Sequence, residues 1–171
     1  MTYFTRRNLM RLVPGGAYVA EGAVVTGNIN FGKDASVWFG CVLRGDDAPL
    51  SVGARTNIQD MTVMHADTGV PNVIGEDVTV GHGVVLHGAQ IGDRCLIGMG
   101  AVLLGGCVIG EESLIAAGTV VKQNFVVPPR SLVAGVPGRI LRSVKDEHVA
   151  AFLESAAHYV KTIKLYLEDA E

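Results

Sequence analysis

Several features are scarce in this sequence, and each scarcity argues against a class of protein. Charged residues make up 18% of the 171 residues, the net charge is −3, and no basic block is present, so no nucleic-acid partner is expected. No apolar run reaches the roughly 18 residues that span a bilayer, and the first twelve residues lack a secretory signal pattern. We therefore expect neither a membrane-bound nor a secreted protein.

Cysteine is also rare, with three residues in the chain, Cys41, Cys95 and Cys107. An odd number of cysteines without a secretion signal favours reduced thiols. We therefore predict a cytoplasmic protein whose three cysteines have a packing role.

What the sequence does contain is a six-residue repeat, together with 22 glycines. The repeat has a three-residue insertion after Leu43, a four-residue insertion after Met64 and one shortened step after Leu86. An amphipathic helix needs a period of 3.6 and a half-buried strand a period of 2, so neither explains the pattern. The repeated apolar positions are Val19, Val25, Phe31, Val37, Leu43, Val52, Ile58, Met64, Ile74, Val80, Leu86, Ile91, Ile97, Leu103, Ile109, Ile115 and Val121.

A strict period of six fits one short strand and one turn per repeat, often with a glycine after the large residue. Stacked in threes, such units form a triangular solenoid with the large residues inside. This pattern resembles the hexapeptide-repeat proteins, and the resemblance implies an all-β solenoid, a left-handed parallel β-helix, over residues 14–135. We predict that residues 1–171 form a single domain.

The end of the chain departs from the repeat. Ser143 followed by Asp146 is a helix N-cap signature, and apolar residues at helical spacing follow it. We therefore predict a C-terminal helix over residues 144–168, packed on the solenoid or on a neighbouring subunit.

Counting the repeats in threes assigns each histidine of the central stretch to a face. His65 and His87 fall in one column, one coil apart, at the ~4.8 Å spacing of neighbouring strands. Two imidazoles at that spacing can bind one metal ion. His82 falls on a different face, in a column with Asp60, and should not reach that ion within its own subunit. A cyclic trimer would let a neighbouring subunit supply His82.

These residues, taken together, resemble those of the γ-class carbonic anhydrases and their ferripyochelin-binding-like, carnitine-operon and phenylacetate-operon relatives. The matching motifs are Arg44-Gly45-Asp46, Asn57-Ile58-Gln59-Asp60, His65, and the pair His82 and His87 five residues apart. The resemblance implies that the three histidines bind a metal between subunits of a homotrimer. It also implies a zinc-dependent lyase (carbonate dehydratase) in which a metal-bound hydroxide converts CO₂ to bicarbonate. Fe²⁺ or Co²⁺ would suit three histidines as well as Zn²⁺ does.

The resemblance also implies roles for residues around the metal. Arg44, Asp46 and Asp60 would form an ion-pair network across the subunit interface, and Gln59 would position the metal-bound water. For Asn57 we predict a structural or interface role beside Gln59. Asp47 fits either an acid close to the metal ligands or an edge residue.

Two features of the sequence leave the activity open. The inserted loop at residues 66–72 is short and offers only Asp67 as a proton carrier, so CO₂ hydration could be weak. Tyr159 is a candidate catalytic residue of the C-terminal helix. It also belongs to a stripe with Phe152 and Tyr166, one aromatic residue every seven, that is typical of packing.

Two other functions remain open at this stage. Hexapeptide acyltransferases share the solenoid and often use one histidine as general base at a subunit interface. A non-catalytic assembly or binding protein could also keep the metal for structure alone.

Overall fold

A short strand forms at almost every six-residue step of the repeat. The computed structural model describes residues 9–167, and within them the chain forms nineteen strands followed by one helix, α1 (Asp146–Leu167). The strands are β1 (Met10–Val13), β2 (Ala17–Ala20), β3 (Val24–Phe31), β4 (Ser36–Val37), β5 (Val42–Val52), β6 (Asn57–Ile58), β7 (Val63–His65), β8 (Asn72–Ile74), β9 (Thr79–Val80), β10 (Val85–His87), β11 (Gln90–Ile91), β12 (Leu96–Ile97), β13 (Val102–Leu103), β14 (Val108–Ile109), β15 (Leu114–Ile115), β16 (Val120–Val121), β17 (Val126–Val127), β18 (Ser131–Ala134) and β19 (Arg139–Ser143).

The strands stack in parallel as a solenoid of about six turns, which confirms the predicted fold, a left-handed β-helix of hexapeptide repeats. Its coils have three faces. The helix face contains β2, β4, β6, β9, β12, β15 and β18. The histidine face contains the first halves of β3 and β5 with β7, β10, β13 and β16. The third face contains the second halves of β3 and β5 with β8, β11, β14 and β17. Within the part of the chain that the structure describes, only the outermost strands, β1 and β19, pair antiparallel.

The core is the ladder of large residues that the repeat predicts. Fifteen of the seventeen repeated positions are buried, and the other two, Val25 and Phe31, pack against them. The same period continues to Val127 and Val133, which are also buried. Each fully buried aliphatic side chain contributes about 1.5–3 kcal/mol relative to an exposed one, so this ladder is the main source of stability. Cys41, Cys95 and Cys107 are buried free thiols, as their predicted packing role requires.

Helix α1 packs on the helix face of its own chain. Phe152 belongs to a cluster that packs against Leu96 and Leu114 near one end, and Ile163 clusters with Trp38 near the other. The predicted cap was wrong: Ser143 is the last residue of β19, and the helix begins at Asp146. The backbone N–H of Lys145 instead donates to His148 Nδ1 at 3.1 Å. Residue 168, the predicted last residue of the helix, lies outside the described residues, as do residues 1–8.

A column of alternating charge runs along the corner between the third face and the helix face. It was not anticipated from the sequence. All six residues have a left-handed backbone, with φ between 55° and 60°. Arg55 contacts Asp77 at 2.7 Å, and Glu112 contacts both Arg94 at 3.0 Å and Arg130 at 3.2 Å. The column consists of Asp34, Arg55, Asp77, Arg94, Glu112 and Arg130.

Within residues 9–167, no helix combines the length and the apolar character that crossing a bilayer requires.

Candidate metal centre

His65 and His87 are cross-strand neighbours on the histidine face. His65 ends β7 and His87 ends β10, and the register of these parallel strands pairs them directly. Their ring centroids lie 5.5 Å apart. The side chain of His65 is 15% exposed and that of His87 is 36% exposed, so both rings remain accessible from outside. The predicted stacking of these two residues is therefore present in the structure.

Acidic side chains surround the outer side of His65. His65 Nε2 lies 3.2 Å from Asp47 Oδ2 and 3.3 Å from Asp46 Oδ1. Arg44 donates to Asp46 at 2.5 Å and lies 3.9 Å from Asp47. This hydrogen bond from the Arg44 guanidinium lowers the pKa of the Asp46 carboxyl. Arg44 and Asp46 thus pair within one chain, and the predicted network across subunits stays a prediction.

Asn72 lies between the two histidine-bearing coils, and no role was predicted for it from the sequence. Its side chain is fully buried. Asn72 Nδ2 donates to the carbonyl oxygens of His65 at 2.7 Å and Leu86 at 3.4 Å, and Oδ1 accepts from the N–H of Ala89 at 2.7 Å. Asn72 therefore fixes the backbone on which both histidines stand. Its sequence signal is a polar residue at the end of the inserted loop, residues 66–72.

His82 stands on the corner between the helix face and the histidine face, one coil from Asp60. His82 Nδ1 lies 2.8 Å from Asp60 Oδ2. A carboxylate can only accept a hydrogen bond, so this contact favours the tautomer with the proton on Nδ1, which in a neutral ring leaves the lone pair on Nε2. Metal-binding histidines usually donate their other ring N–H to a carboxylate in this way. Asp60 therefore contacts His82 in its own chain.

Gln59, Tyr159 and His82 share one groove of about 530 Å³ beside helix α1. The rest of its lining is largely apolar and includes Leu96 and Met99. Tyr159 packs edge-on against Trp38, with ring centroids 5.1 Å apart. Burial, with a smaller contribution from the negative charge of Asp60, raises the pKa of the Tyr159 phenol. Tyr159 thus belongs to the aromatic packing and also lines the groove as a protonated hydroxyl.

Asn57 is fully buried and forms its hydrogen bonds inside the chain. Its Oδ1 accepts from Gln59 Nε2 at 3.1 Å, and its Nδ2 bonds to Thr79 Oγ1 at 3.0 Å. Asn57 therefore holds Gln59 rather than contacting solvent.

The candidate residues thus fall into two clusters. His65, His87, Asp46 and Asp47 occupy the histidine face. His82, Gln59 and Tyr159 line the groove, and Asp60 contacts His82. Among the described residues, the group of ligand atoms within 4.8 Å of one another is Asp46, Asp47 and His65. His82 does not join His65 and His87 in one chain.

Comparison with known proteins agrees with the repeat and the motifs. The family model "Bacterial transferase hexapeptide (six repeats)" matches residues 88–123. A protein of Methanocaldococcus jannaschii named "Probable carbonic anhydrase" is 49% identical over 143 residues, which cover 84% of this chain and 90% of that protein. "Gamma carbonic anhydrase 2, mitochondrial" of Arabidopsis thaliana is 40% identical over 164 residues, which cover 92% of this chain and 59% of that longer protein.

The chain belongs to the γ-class carbonic anhydrase family.

A solved structure with a similar fold has a transferase title instead. The crystal structure of a hexapeptide transferase family protein from Anaplasma phagocytophilum has a TM-score of 0.79 and 36% identity, with 87% of this chain and 92% of that chain covered. Because hexapeptide solenoids carry several chemistries, the fold does not choose between them. Membership of the γ-class carbonic anhydrase family rests on sequence identity over most of the chain.

Two sets of donors could hold the metal that a γ-class carbonic anhydrase implies. Asp46, Asp47 and His65 lie together in one chain, but the Arg44 guanidinium already occupies the space beside both carboxylates and would repel a cation. The set of His65, His87 and His82 offers three imidazole rings as nitrogen donors, and the Asp60 carboxylate lies beside Nδ1 of His82. The chemistry of the second set fits a divalent transition metal better.

Proposed function

We propose that this protein is a carbonic anhydrase that interconverts CO₂ and bicarbonate at sites between the subunits of a homotrimer. The observation that carries the proposal is the division of the ligands. His82 stands on one corner with a tautomer suited to metal binding, and His65 and His87 pair on a face of the same coils. In a cyclic trimer, the corner of each subunit meets the histidine face of the next.

Three histidines would hold the ion, which we propose is Zn²⁺, with Fe²⁺ and Co²⁺ suited to the same donors. Three protein ligands leave one coordination position open, as in catalytic zinc sites. When bound, the ion supplies Lewis acidity that lowers the pKa of water to about 7, a value established with carbonic anhydrase itself.

The groove residues have separate tasks in this proposal. Gln59 Nε2 is engaged by Asn57, so Gln59 Oε1 is the atom free to accept a hydrogen bond and orient a water molecule. Tyr159 keeps its proton because its pKa is raised, so it can donate a hydrogen bond but does not act as a base. The apolar side chains of the groove suit CO₂, which has no charge and no proton to donate.

Few side chains near the histidines could carry the released proton to solvent. Asp67 Oδ1 lies 3.8 Å from His87 Nε2, and its side chain is 75% exposed. Asp67 can therefore exchange a proton with solvent, although the short loop offers no second acid. We propose that turnover depends strongly on the concentration of external buffer.

An acyltransferase is the second candidate, favoured by the apolar groove and by the transferase title of the structural neighbour. A metal-binding protein without catalysis is the third. The reduced state of three buried thiols remains the basis for a proposed cytoplasmic location.

The test compares three purified proteins: wild type, His82→Ala and His158→Ala, the last an exposed histidine on α1 and hence a matched control. Metal content per trimer after anaerobic purification and stopped-flow CO₂ hydration are measured for each. Wild type and His158→Ala should hold metal and hydrate CO₂, and His82→Ala should lose both. Absence of metal from wild type would refute the proposal, and acetyl-CoA binding without metal would establish the acyltransferase instead.

A further inference from the structure

A chain of buried hydrogen bonds connects helix α1 to Gln59. Gln59 Nε2 donates to Asn57 Oδ1 at 3.1 Å, Asn57 Nδ2 donates to Thr79 Oγ1 at 3.0 Å, and Thr79 Oγ1 donates to Ser155 Oγ at 3.1 Å. The first three side chains are at least 94% buried, since Gln59 is 6% exposed, Thr79 is 4% exposed and Asn57 is fully buried. Ser155 is the only member on the helix, and it is half-buried.

The chemistry of the partners fixes the direction of the two amide bonds in this chain. The carbonyl oxygen of Val78, 3.5 Å from Asn57 Nδ2, can only accept, so the amide nitrogen of Asn57 faces Val78 and Thr79. Asn57 Oδ1 then faces Gln59, which must present its own N–H₂ group. The Thr79 hydroxyl accepts from Asn57, and its own proton is then available for Ser155, 3.1 Å away. A reversed Gln59 amide would place two acceptors against each other.

We propose that Thr79 and Ser155 are positioning residues that act through Asn57 to keep Gln59 Oε1 available to the catalytic groove. The catalytic part of this inference rests on the proposed function. Docking of helix α1 thereby becomes part of the site, because Gln59, Thr79 and Ser155 line the same groove as His82.

If Thr79 had only a structural role, its replacement would lower stability but would not change the hydrogen exchange of the Gln59 side-chain amide. The experiment therefore observes that amide directly. The sequence has three glutamines, Gln59, Gln90 and Gln123, so ¹⁵N-glutamine labelling gives few side-chain N–H₂ signals. The signal of Gln59 is assigned by its absence in Gln59→Glu. Hydrogen exchange of that signal is compared in wild type, Thr79→Val, Thr79→Ser and Ser155→Ala.

Ser113→Ala is the matched control. Ser113 is a fully buried hydroxyl that donates to the carbonyl of Pro128 at 3.2 Å and accepts from the N–H of Ser131 at 3.1 Å, without contact to Gln59. Its loss should lower stability but leave the Gln59 amide unchanged.

The hydrogen-bond relay from Ser155 through Thr79 and Asn57 to Gln59 predicts faster hydrogen exchange of the Gln59 amide in Thr79→Val and Ser155→Ala. In Thr79→Ser, which keeps the hydroxyl, exchange should match wild type. In the zinc-loaded protein, Thr79→Val should lower kcat for CO₂ hydration by roughly tenfold with little change in KM, which corresponds to the loss of one hydrogen bond, and Thr79→Ser should restore it. An unchanged Gln59 signal in both Thr79→Val and Ser155→Ala overturns the relay. Wild-type protein without CO₂ hydration would refute the proposed function, while the exchange data would still decide the relay.

Discussion

His82 Nδ1 and Asp60 Oδ2 lie 2.8 Å apart on the corner that separates the helix face from the histidine face. The two residues stand one coil apart in the same column of the repeat. Asp60 therefore holds the ring of His82 and its tautomer before any metal binds. The intersubunit site that we propose depends on this contact and on the pairing of His65 with His87.

Replacement of Asp60 by asparagine should weaken metal binding. Asp60→Asn removes the charge that fixes the Nδ1–H tautomer of His82, and loss of such a partner typically costs 10–100-fold in metal affinity. Competition with a chelator measures that affinity. Asp34→Asn, which removes one carboxylate from the charged corner, is the control and should bind metal as wild type does. Equal affinities in the two variants would exclude this role for Asp60.

Replacement of Asn72 by alanine should destabilise the two histidine-bearing coils. Asn72→Ala leaves the buried carbonyl of His65 and the N–H of Ala89 without their partner, each previously bonded at 2.7 Å. Unsatisfied buried groups cost about 1–3 kcal/mol each, so we expect a loss of about 2–4 kcal/mol in the free energy of unfolding. Urea denaturation checks this, with the exposed Asn30→Ala expected to stay within about 0.5 kcal/mol of wild type. A loss under 1 kcal/mol for Asn72→Ala would contradict the assigned contacts.

The three buried thiols should make stability fall at alkaline pH. Burial raises the pKa of Cys41 to about 11 and those of Cys95 and Cys107 to about 12, from an ordinary value of 9.0. Between pH 9 and these raised values the unfolded chain loses protons that the folded chain keeps. The free energy of unfolding therefore decreases as the pH rises through that window.

Cys95→Ala tests the assignment to thiols. Denaturant titrations from pH 8 to 11 should show a shallower fall in stability for this variant than for wild type, whatever its stability at pH 7. Parallel curves for the two proteins would show that another group causes the fall.

The sequence predicted those features that the six-residue period controls. Because every coil must bury one large residue per face, the period alone assigned His65 and His87 to neighbouring positions and His82 to another face. The period carries no information on side-chain partners. It did not reveal that the Asp60 carboxylate lies beside His82 of the same chain, and the intersubunit network to which the resemblance assigned Asp60 stays a prediction.

Local rules also failed where the solenoid overrides them. Ser143 has the residue type of a helix cap, yet it pairs with Ser131 as the end of β19, and the helix begins after Lys145. Arg55, Arg94 and Glu112 occupy left-handed corners, where glycine is usual. These residues form ion pairs with residues of neighbouring coils. The sequence of a single repeat does not reveal such pairs.

Mixed trimers test the intersubunit site most directly. His82→Ala and His65→Ala subunits are purified, unfolded together in equal amounts and refolded, and bound zinc is then counted per trimer. Each variant alone should hold no zinc. Random assembly should restore about a quarter of the sites, because one interface arrangement in four combines an intact His82 with an intact His65. Mixed trimers that remain free of zinc, or His82→Ala trimers that keep their zinc, would contradict the proposal that neighbouring subunits share each metal.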